Sequence, residues 1–269
     1  MEYIKLKDKI IISATDDFNP QHILECGQIF DFKKIENGYE VCSHGNSAVI
    51  KEVACGYEIL TSNVEYFEKF FDLKTDYAKI KRSLLKFDMM KEPIKFGKGI
   101  RILKNDLFET MVSFIISANN NIKRIQKIIW ALKEKCNGGK SFPSHEELKS
   151  LSVDDLYAVG LGYRAPQLYK ALRQVDEAAL AEWQNLDSVS LRAKLISLSG
   201  IGPKVADCIL LFGYGRGDVF PVDTWMNKMY NLYFEPLSDR KKIAQNLVGM
   251  FGDLAGYAQQ YLFYYQRSH

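Results

Sequence analysis

Leu198-Ser199-Gly200-Ile201-Gly202-Pro203-Lys204-Val205-Ala206-Asp207-Cys208 is a sequence that turns one helix back on another. A helical pattern ends near Leu198. Pro203 suits the first turn of a new helix, where a missing N–H costs nothing. Gly200 and Gly202 permit a tight reversal and a close backbone approach, so free N–H groups at the start of the new helix can face a phosphate. The pattern predicts a helix-hairpin-helix near residues 196–212, a module that grips the DNA backbone without reading sequence. Gly-x-Gly alone would also suit an ordinary helix–helix turn; Leu198 before it and Pro203-Lys204 after it favour the hairpin.

Outward from the hairpin, the rest of the chain divides in two. The first ~70 residues carry strand signals. Ile4 and Leu6 alternate with lysines before Ile10-Ile11-Ile12, and Ile29-Phe30-Asp31-Phe32 leads through Asn37-Gly38 into Tyr39-Glu40-Val41-Cys42. His44-Gly45-Asn46-Ser47 marks a second turn, with further strands at Ala48-Val49-Ile50 and Tyr57-Glu58-Ile59-Leu60. From Glu65 the period becomes helical, with Tyr66, Phe67, Phe70 and Phe71 on one stripe. Glu92 to Gly99, interrupted by Pro93 and two glycines, is the expected linker. Beyond it the chain reads as short helices: Ser144 and Ser152 open capping boxes, and Ser238 is the expected N-cap of the helix carrying Ile243 and Leu247. The expected fold is α+β. An N-terminal antiparallel β-sheet domain with flanking helices occupies residues 1–97, and a mainly α-helical body follows over 98–269.

Composition narrows the function classes. The chain has 269 residues, 47% hydrophobic and 26% charged, which suits a globular protein with a self-sufficient core. No apolar run approaches the ~18–20 residues of a membrane span, and the charged start MEYIKLKDKI has no export signal. A cytoplasmic protein is expected, nucleoid-associated if the source is prokaryotic. The net charge of +3 allows a nucleic-acid partner without demanding one. Cysteines at 26, 42, 55, 136 and 208 form no C-x-x-C, which speaks against a zinc ribbon, an iron–sulfur cluster or a disulfide framework.

Asp223, in Val219-Phe220-Pro221-Val222-Asp223-Thr224-Trp225, reads by itself as a helix N-cap, and Lys204 by itself as a phosphate contact. Together, the hairpin followed by Pro-Val-Asp resembles the helix-hairpin-helix (HhH-GPD) DNA glycosylase superfamily. Four further motifs narrow the resemblance. Cys26-Gly27-Gln28-Ile29-Phe30, Ser117 to Ile125 (SANNNIKRI), Leu161-Gly162-Tyr163-Arg164-Ala165 and Gly256 to Phe263 (GYAQQYLF) are similar to the 8-oxoguanine DNA glycosylase family in its three-part form. They fall in order over nearly the whole chain. The resemblance implies a bifunctional glycosylase/AP lyase that acts on duplex DNA containing 8-oxoguanine, preferentially opposite cytosine, and works as a monomer. It implies no required cofactor and no catalytic metal, though hairpin backbone carbonyls can hold a structural cation.

Residue by residue, the resemblance assigns Lys204 as nucleophile and Asp223 as its electrostatic partner. An amine attacks a sugar carbon only when neutral, and the positive end of a helix in a dry pocket disfavours the ammonium form. Cys208 and Phe263 would sandwich the extruded base. The Gly27 carbonyl would accept from N7–H, a proton that 8-oxoguanine has and guanine lacks, and Gln259 would read the Watson–Crick edge. Asn119, Tyr163, Arg124 and Arg164 would fill the vacated stack and contact the unpaired cytosine; Gly200, Gly202 and Val205 would hold phosphate. By themselves these side chains read as core, as a helix-ending turn or as a solvated face. Trp225 departs from the histidine usual in eukaryotic members, and Pro203 from a polar residue of some relatives. Two rivals stay open: an alkylpurine glycosylase of the same fold, against which Lys204 argues, and a non-catalytic helix-hairpin-helix module, which needs no base pocket.

Overall fold

The computed structural model describes residues 1–269. Six strands form one antiparallel sheet: β1 (Tyr3–Lys5), β2 (Lys9–Ser13), β3 (Phe32–Ile35), β4 (Gly38–Ser43), β5 (Asn46–Val53) and β6 (Gly56–Leu60). Their order across the sheet is β1-β2-β6-β5-β4-β3. The chain therefore leaves one side after β2 and re-enters at the far edge with β3, and Cys26–Phe30 lies on that excursion. At the β4–β5 turn, His44 and Gly45 both take positive φ, 47° and 69°, the conformation that matches the right-handed twist of the flanking strands. The Asn37-Gly38 signal marks a real hairpin, shifted by one residue: Glu36 and Asn37 form the loop, and Gly38 pairs with Ile35.

Helices make up the rest, as the change of period predicts. Ser144 and Ser152 each cap a helix with the full reciprocal box. Three expectations need correction. Ile29–Asp31 is not strand; the ladder begins at Phe32, because Ile29 and Phe30 turn into two different cores and, beyond the Asp31 carbonyl's bond to the Cys42 amide, no backbone bond ties the segment to β4. The 92–99 linker is helical through Lys91–Phe96, and Pro93 is tolerated because it falls in the first turn. The cap before Ile243 is Asp239, whose carboxylate accepts from the amides of Lys241 and Lys242. A short helix at Pro20–Leu24, capped by Asn19, had no periodic signal of its own.

Three hydrophobic cores result. One lies under the sheet and takes in Ile10, Ile12, Val41, Ile50, Ile59 and the Phe67, Phe70 and Phe71 stripe. The largest fills the helical body around Met111, Ile115, Leu168 and Ile209. The third joins distant parts of the chain: Tyr77, Leu84, Met90 and Ile94 pack with Phe220, Met226, Leu247 and Tyr261. The excursion touches all three, since Cys26 belongs to the third core, Ile29 to the sheet core and Phe30 to the largest.

Polar ties secure the junction of sheet and helices. Arg101 is fully buried. Its guanidinium donates to the carbonyls of Phe71, Asp17, Asp72 and Thr75 and lies 4.0 Å from the Tyr77 ring centroid. Next to β3, the buried Asp31 accepts from Lys133 Nζ at 2.8 and 2.9 Å, which ties the sheet edge to the Ile122–Asn137 helix. Removing one partner of a buried pair strands the other charge. Lys133→Met is therefore expected to lower unfolding free energy by about 3–5 kcal/mol, while Asp31→Leu with Lys133→Met recovers most of the loss. Urea denaturation of the three proteins checks this, and equal losses in the single and double variants would contradict it.

Candidate active site

The hairpin forms as expected, between the helices Ser188–Ile196 and Pro203–Phe212. Gly200 sits at φ 81°, and a Cβ there would lie 3.0 Å from the Gln167 side chain. The second helix makes its first intrahelical bond from Ala206 N–H to the Gly202 carbonyl, 2.9 Å. The amides of Lys204 and Val205 precede that bond, so they point outward at the positive end of the helix. A tie absent from the sequence reading clamps the two helices together: Arg192 donates to the buried Asp207 through Nε at 2.5 Å and Nη2 at 3.2 Å.

An open cleft runs past the start of the Pro203–Phe212 helix. Its lining includes Gly27, Phe30, Phe114, Asn119, Lys204, Val205, Asp223, Trp225, Phe263 and Arg267. Lys204 projects from the first helical turn, with Nζ 5.5 Å from the Phe114 ring centroid. Asp223 N-caps the Thr224–Tyr233 helix and accepts from the Met226 amide at 2.9 Å, so its expected capping role is real and its carboxylate still lines the cleft. Cys208, one turn beyond Lys204, is buried. Burial pushes its thiol up to about 11 against the pull of Lys204, with Asp223 adding to the rise. The group is a neutral, polarizable surface rather than a thiolate.

The opposite wall comes from the far ends of the chain. Gly27 has φ 89°, and a Cβ there would stand 3.3 Å from Arg267 Nη1 and 3.4 Å from Phe263 Cε1. Only glycine fits both the backbone and the space. Its position is held by side chains that the sequence reading did not single out. Gln28 Nε2 donates to the carbonyls of Ile23 (2.8 Å) and Arg101 (2.7 Å), and its Oε1 accepts from Leu103 N at 2.8 Å. Gln260 Nε2 donates to the Cys26 carbonyl at 3.1 Å, and Arg267 Nη2 to the Glu25 carbonyl at 2.6 Å. Gln28 and Gln260 stood inside quoted motifs as polar residues among apolar ones. Arg267 carried a signal too, because Gln259, Phe263 and Arg267 recur every four residues along one helix. Gln259 is 5% exposed, and its Oε1 has no hydrogen-bond partner.

Along the rim, Asn119 takes φ 50° between two helices. Arg164, 2% exposed, holds this turn through three carbonyls: Ala118 at 2.7 Å, Asn119 at 2.7 Å and Leu161 at 3.2 Å. Tyr163 is half exposed and its hydroxyl also donates to Ala118, at 3.0 Å. Arg124 is the freer cation, with one 3.4 Å bond to the Gly160 carbonyl. Gly202 stands open on the outer face of the hairpin. No three His, Cys, Asp or Glu side chains converge as a metal site. Trp225 fills the cleft lip, 38% exposed, with Lys228 Nζ 5.2 Å from its ring.

Comparison with known proteins agrees with this geometry. Residues 9–111 match the 8-oxoguanine DNA glycosylase N-terminal domain, and residues 112–250 match the HhH-GPD superfamily of base excision DNA repair proteins. A probable N-glycosylase/DNA lyase of Methanothermobacter thermautotrophicus is 31% identical over 76% of this chain and 74% of its own length. The N-glycosylase/DNA lyase OGG1 of Arabidopsis thaliana is 32% identical over 69% of this chain and 59% of its own length, so the chain spans little more than half of the plant protein. The structure of Clostridium acetobutylicum 8-oxoguanine glycosylase/lyase, bound to double-stranded DNA with cytosine opposite 8-oxoguanine, superimposes with a TM-score of 0.91 at 34% identity. It covers all of this chain and 98% of that one. The chain belongs to the HhH-GPD superfamily of base excision DNA repair proteins, in the group that carries the 8-oxoguanine DNA glycosylase N-terminal domain.

Proposed function

We propose that the protein is a bifunctional DNA glycosylase/AP lyase that excises 8-oxoguanine from duplex DNA. The observation that carries this is the shared cleft: Lys204 and Asp223 stand on one wall, and Gly27 and Phe263 on the other. A backbone grip alone needs only the hairpin, whereas a pocket facing an amine is suited to a flipped base.

In this reading the hairpin amides hold the backbone near the lesion, and the extruded base enters between Cys208 and Phe263. The Lys204 nitrogen forms a bond to C1′ as the C1′–N9 bond breaks. The electron pair leaves with the base, which takes up a proton at N9. Asp223 faces the positive charge that develops on the sugar and stabilises it electrostatically. Sugar-ring opening then gives a Schiff base, removal of a C2′ proton follows, and the C3′–O bond breaks, which nicks the strand 3′ to the site. The carbonyls of Ser199, Gly200 and Ile201 accept no backbone hydrogen bond, which fits a cation held there when one binds; its charge would reinforce the grip on phosphate. Asn119 and Tyr163 fill the gap left by the base. Arg124, a planar donor with most of its N–H groups free, suits the N3 and O2 acceptors of the unpaired cytosine. Arg164 supports the Asn119 turn and must exchange carbonyl bonds before it can reach a base.

Borohydride is expected to trap the protein on 8-oxoguanine DNA, and Lys204→Gln to abolish trapping while binding persists; trapping that survives would name another nucleophile. Asp223→Asn is expected to slow excision by roughly 10²–10⁴-fold with little change in melting temperature, because asparagine caps equally well. Loss of the thermal transition in that variant would make capping the main role of Asp223. Excision opposite cytosine should exceed that opposite adenine, and Arg124→Ala should narrow the ratio by about 10-fold or more. Equal wild-type rates opposite both bases would remove Arg124 from base reading.

A further inference from the structure

We propose that Arg267 reads the oxidised edge of the extruded base, donating a hydrogen bond from Nη1 to the carbonyl oxygen at C8. The proposal rests on the 8-oxoguanine reading above and adds a residue to it. Arg267 Nη1 and Gln259 Oε1 are buried with no partner, as is Tyr261 Oη on the opposite side of the same helix. Buried donors and acceptors are nearly always paired. Arg267 lines the cleft and Gln259 lies buried about two turns back on the same helix face, so an orphan of each kind on that face points to a ligand that completes them.

Their arrangement identifies that ligand. Gln259, Phe263 and Arg267 lie at four-residue intervals in the Ala255–Ser268 helix and so share one face, with end Cα atoms roughly 12 Å apart. An acceptor, an aromatic plate and a donor thus follow one another along the helix. The plate and the donor are in register, since the guanidinium lies 5.4 Å from the Phe263 ring centroid. A purine resting on Phe263 can direct its six-membered ring toward Gln259, whose Oε1 faces the N1–H and N2–H donors. Its five-membered ring then points toward Arg267. The carbonyl at C6 adjoins N1 and belongs to the Gln259 end, which leaves the C8 carbonyl as the acceptor within reach of Nη1. Gly27 flanks the same spot, with its α-carbon substituent position 3.3 Å from Nη1. In the functional reading the Gly27 carbonyl accepts from N7–H, and a donor beside Gly27 then matches the adjacent C8 carbonyl of 8-oxoguanine. Guanine offers C8–H to the donor and a lone pair to the carbonyl, so both contacts fail. Nη2 is anchored on the Glu25 carbonyl at 2.6 Å, which fixes the plane of the fork.

The test compares wild type, Arg267→Met and Arg267→Lys in single-turnover excision of 8-oxoguanine and in strand cleavage at a preformed abasic site, which has no base. Thermal denaturation accompanies both assays. Arg267→Met is expected to slow excision about 10–100-fold, as for a lost charge-assisted hydrogen bond. Abasic cleavage should stay within about two-fold, and Arg267→Lys, which keeps a donor but not the planar fork, should recover part of the loss. Wild-type excision by Arg267→Met, or equal losses in both assays, would overturn the proposal. Should Arg267→Met not fold, Arg267→Lys decides: slowed excision with intact abasic cleavage supports the role, and unchanged or equally reduced rates refute it. A wild-type protein inactive on 8-oxoguanine would instead strike the functional reading itself.

Discussion

Gln28 is the point on which the rest of the structure depends. Its amide donates to two carbonyls and accepts from one backbone N–H, and the segments it joins belong to the excursion from the sheet and to the start of the helical body. The residues around it complete the fixation, because Cys26, Ile29 and Phe30 each enter a different hydrophobic core. Gly27 therefore has almost no freedom of its own. For the proposed role of Gly27 that rigidity matters, because a carbonyl that reads a base discriminates only if it cannot turn away from a mismatched edge, and a positive-φ glycine without such bracing would be the most mobile residue in the pocket.

The other wall uses the same economy with different parts. One helix start places an amine, outward amides and a thiol within two turns, and Arg192–Asp207 behind it fixes the angle of the hairpin. Asp223 serves two ends at once, closing a helix with one oxygen while its carboxylate stays on the cleft. On the proposed mechanism the cap is also a charge partner, which gives stability and chemistry a common dependence on one side chain.

The fold was legible wherever a local rule had no competitor. The hairpin, both serine capping boxes, the turn at His44-Gly45 and the aromatic stripe of residues 66–71 followed from spacing and φ preference. Legibility failed where tertiary contacts decided. Ile29–Asp31 has a strand composition, yet Asp31 is held by Lys133 from a helix about a hundred residues away. Pro20–Leu24 is too short for a period, and Ser238 lost the cap to its neighbour Asp239, whose carboxylate reaches two amides. Of the site, Lys204, Asp223, Gly27 and Phe263 share the expected cleft. Arg164 is instead buried against backbone, an environment that no pattern of spacing reveals. Gln28 and Gln260 passed as ordinary polar residues, because bonds to backbone 73 and 234 residues away have no local signature.

The wall that carries Gly27 and Phe263 joins parts of the sequence that lie far apart. Phe263 is made 236 residues after Gly27. At roughly 5–20 residues per second, a ribosome needs on the order of ten to fifty seconds to cover that distance. During that time the emerging chain can fold its sheet, and later its hairpin, without possessing a pocket. Gln260 and Arg267, which brace the Gly27 backbone, arrive together with Phe263. In the functional reading, the base pocket is thus withheld until the Ala255–Ser268 helix has been made, and a shorter nascent fragment that touches DNA can hold it but lacks one face of the pocket.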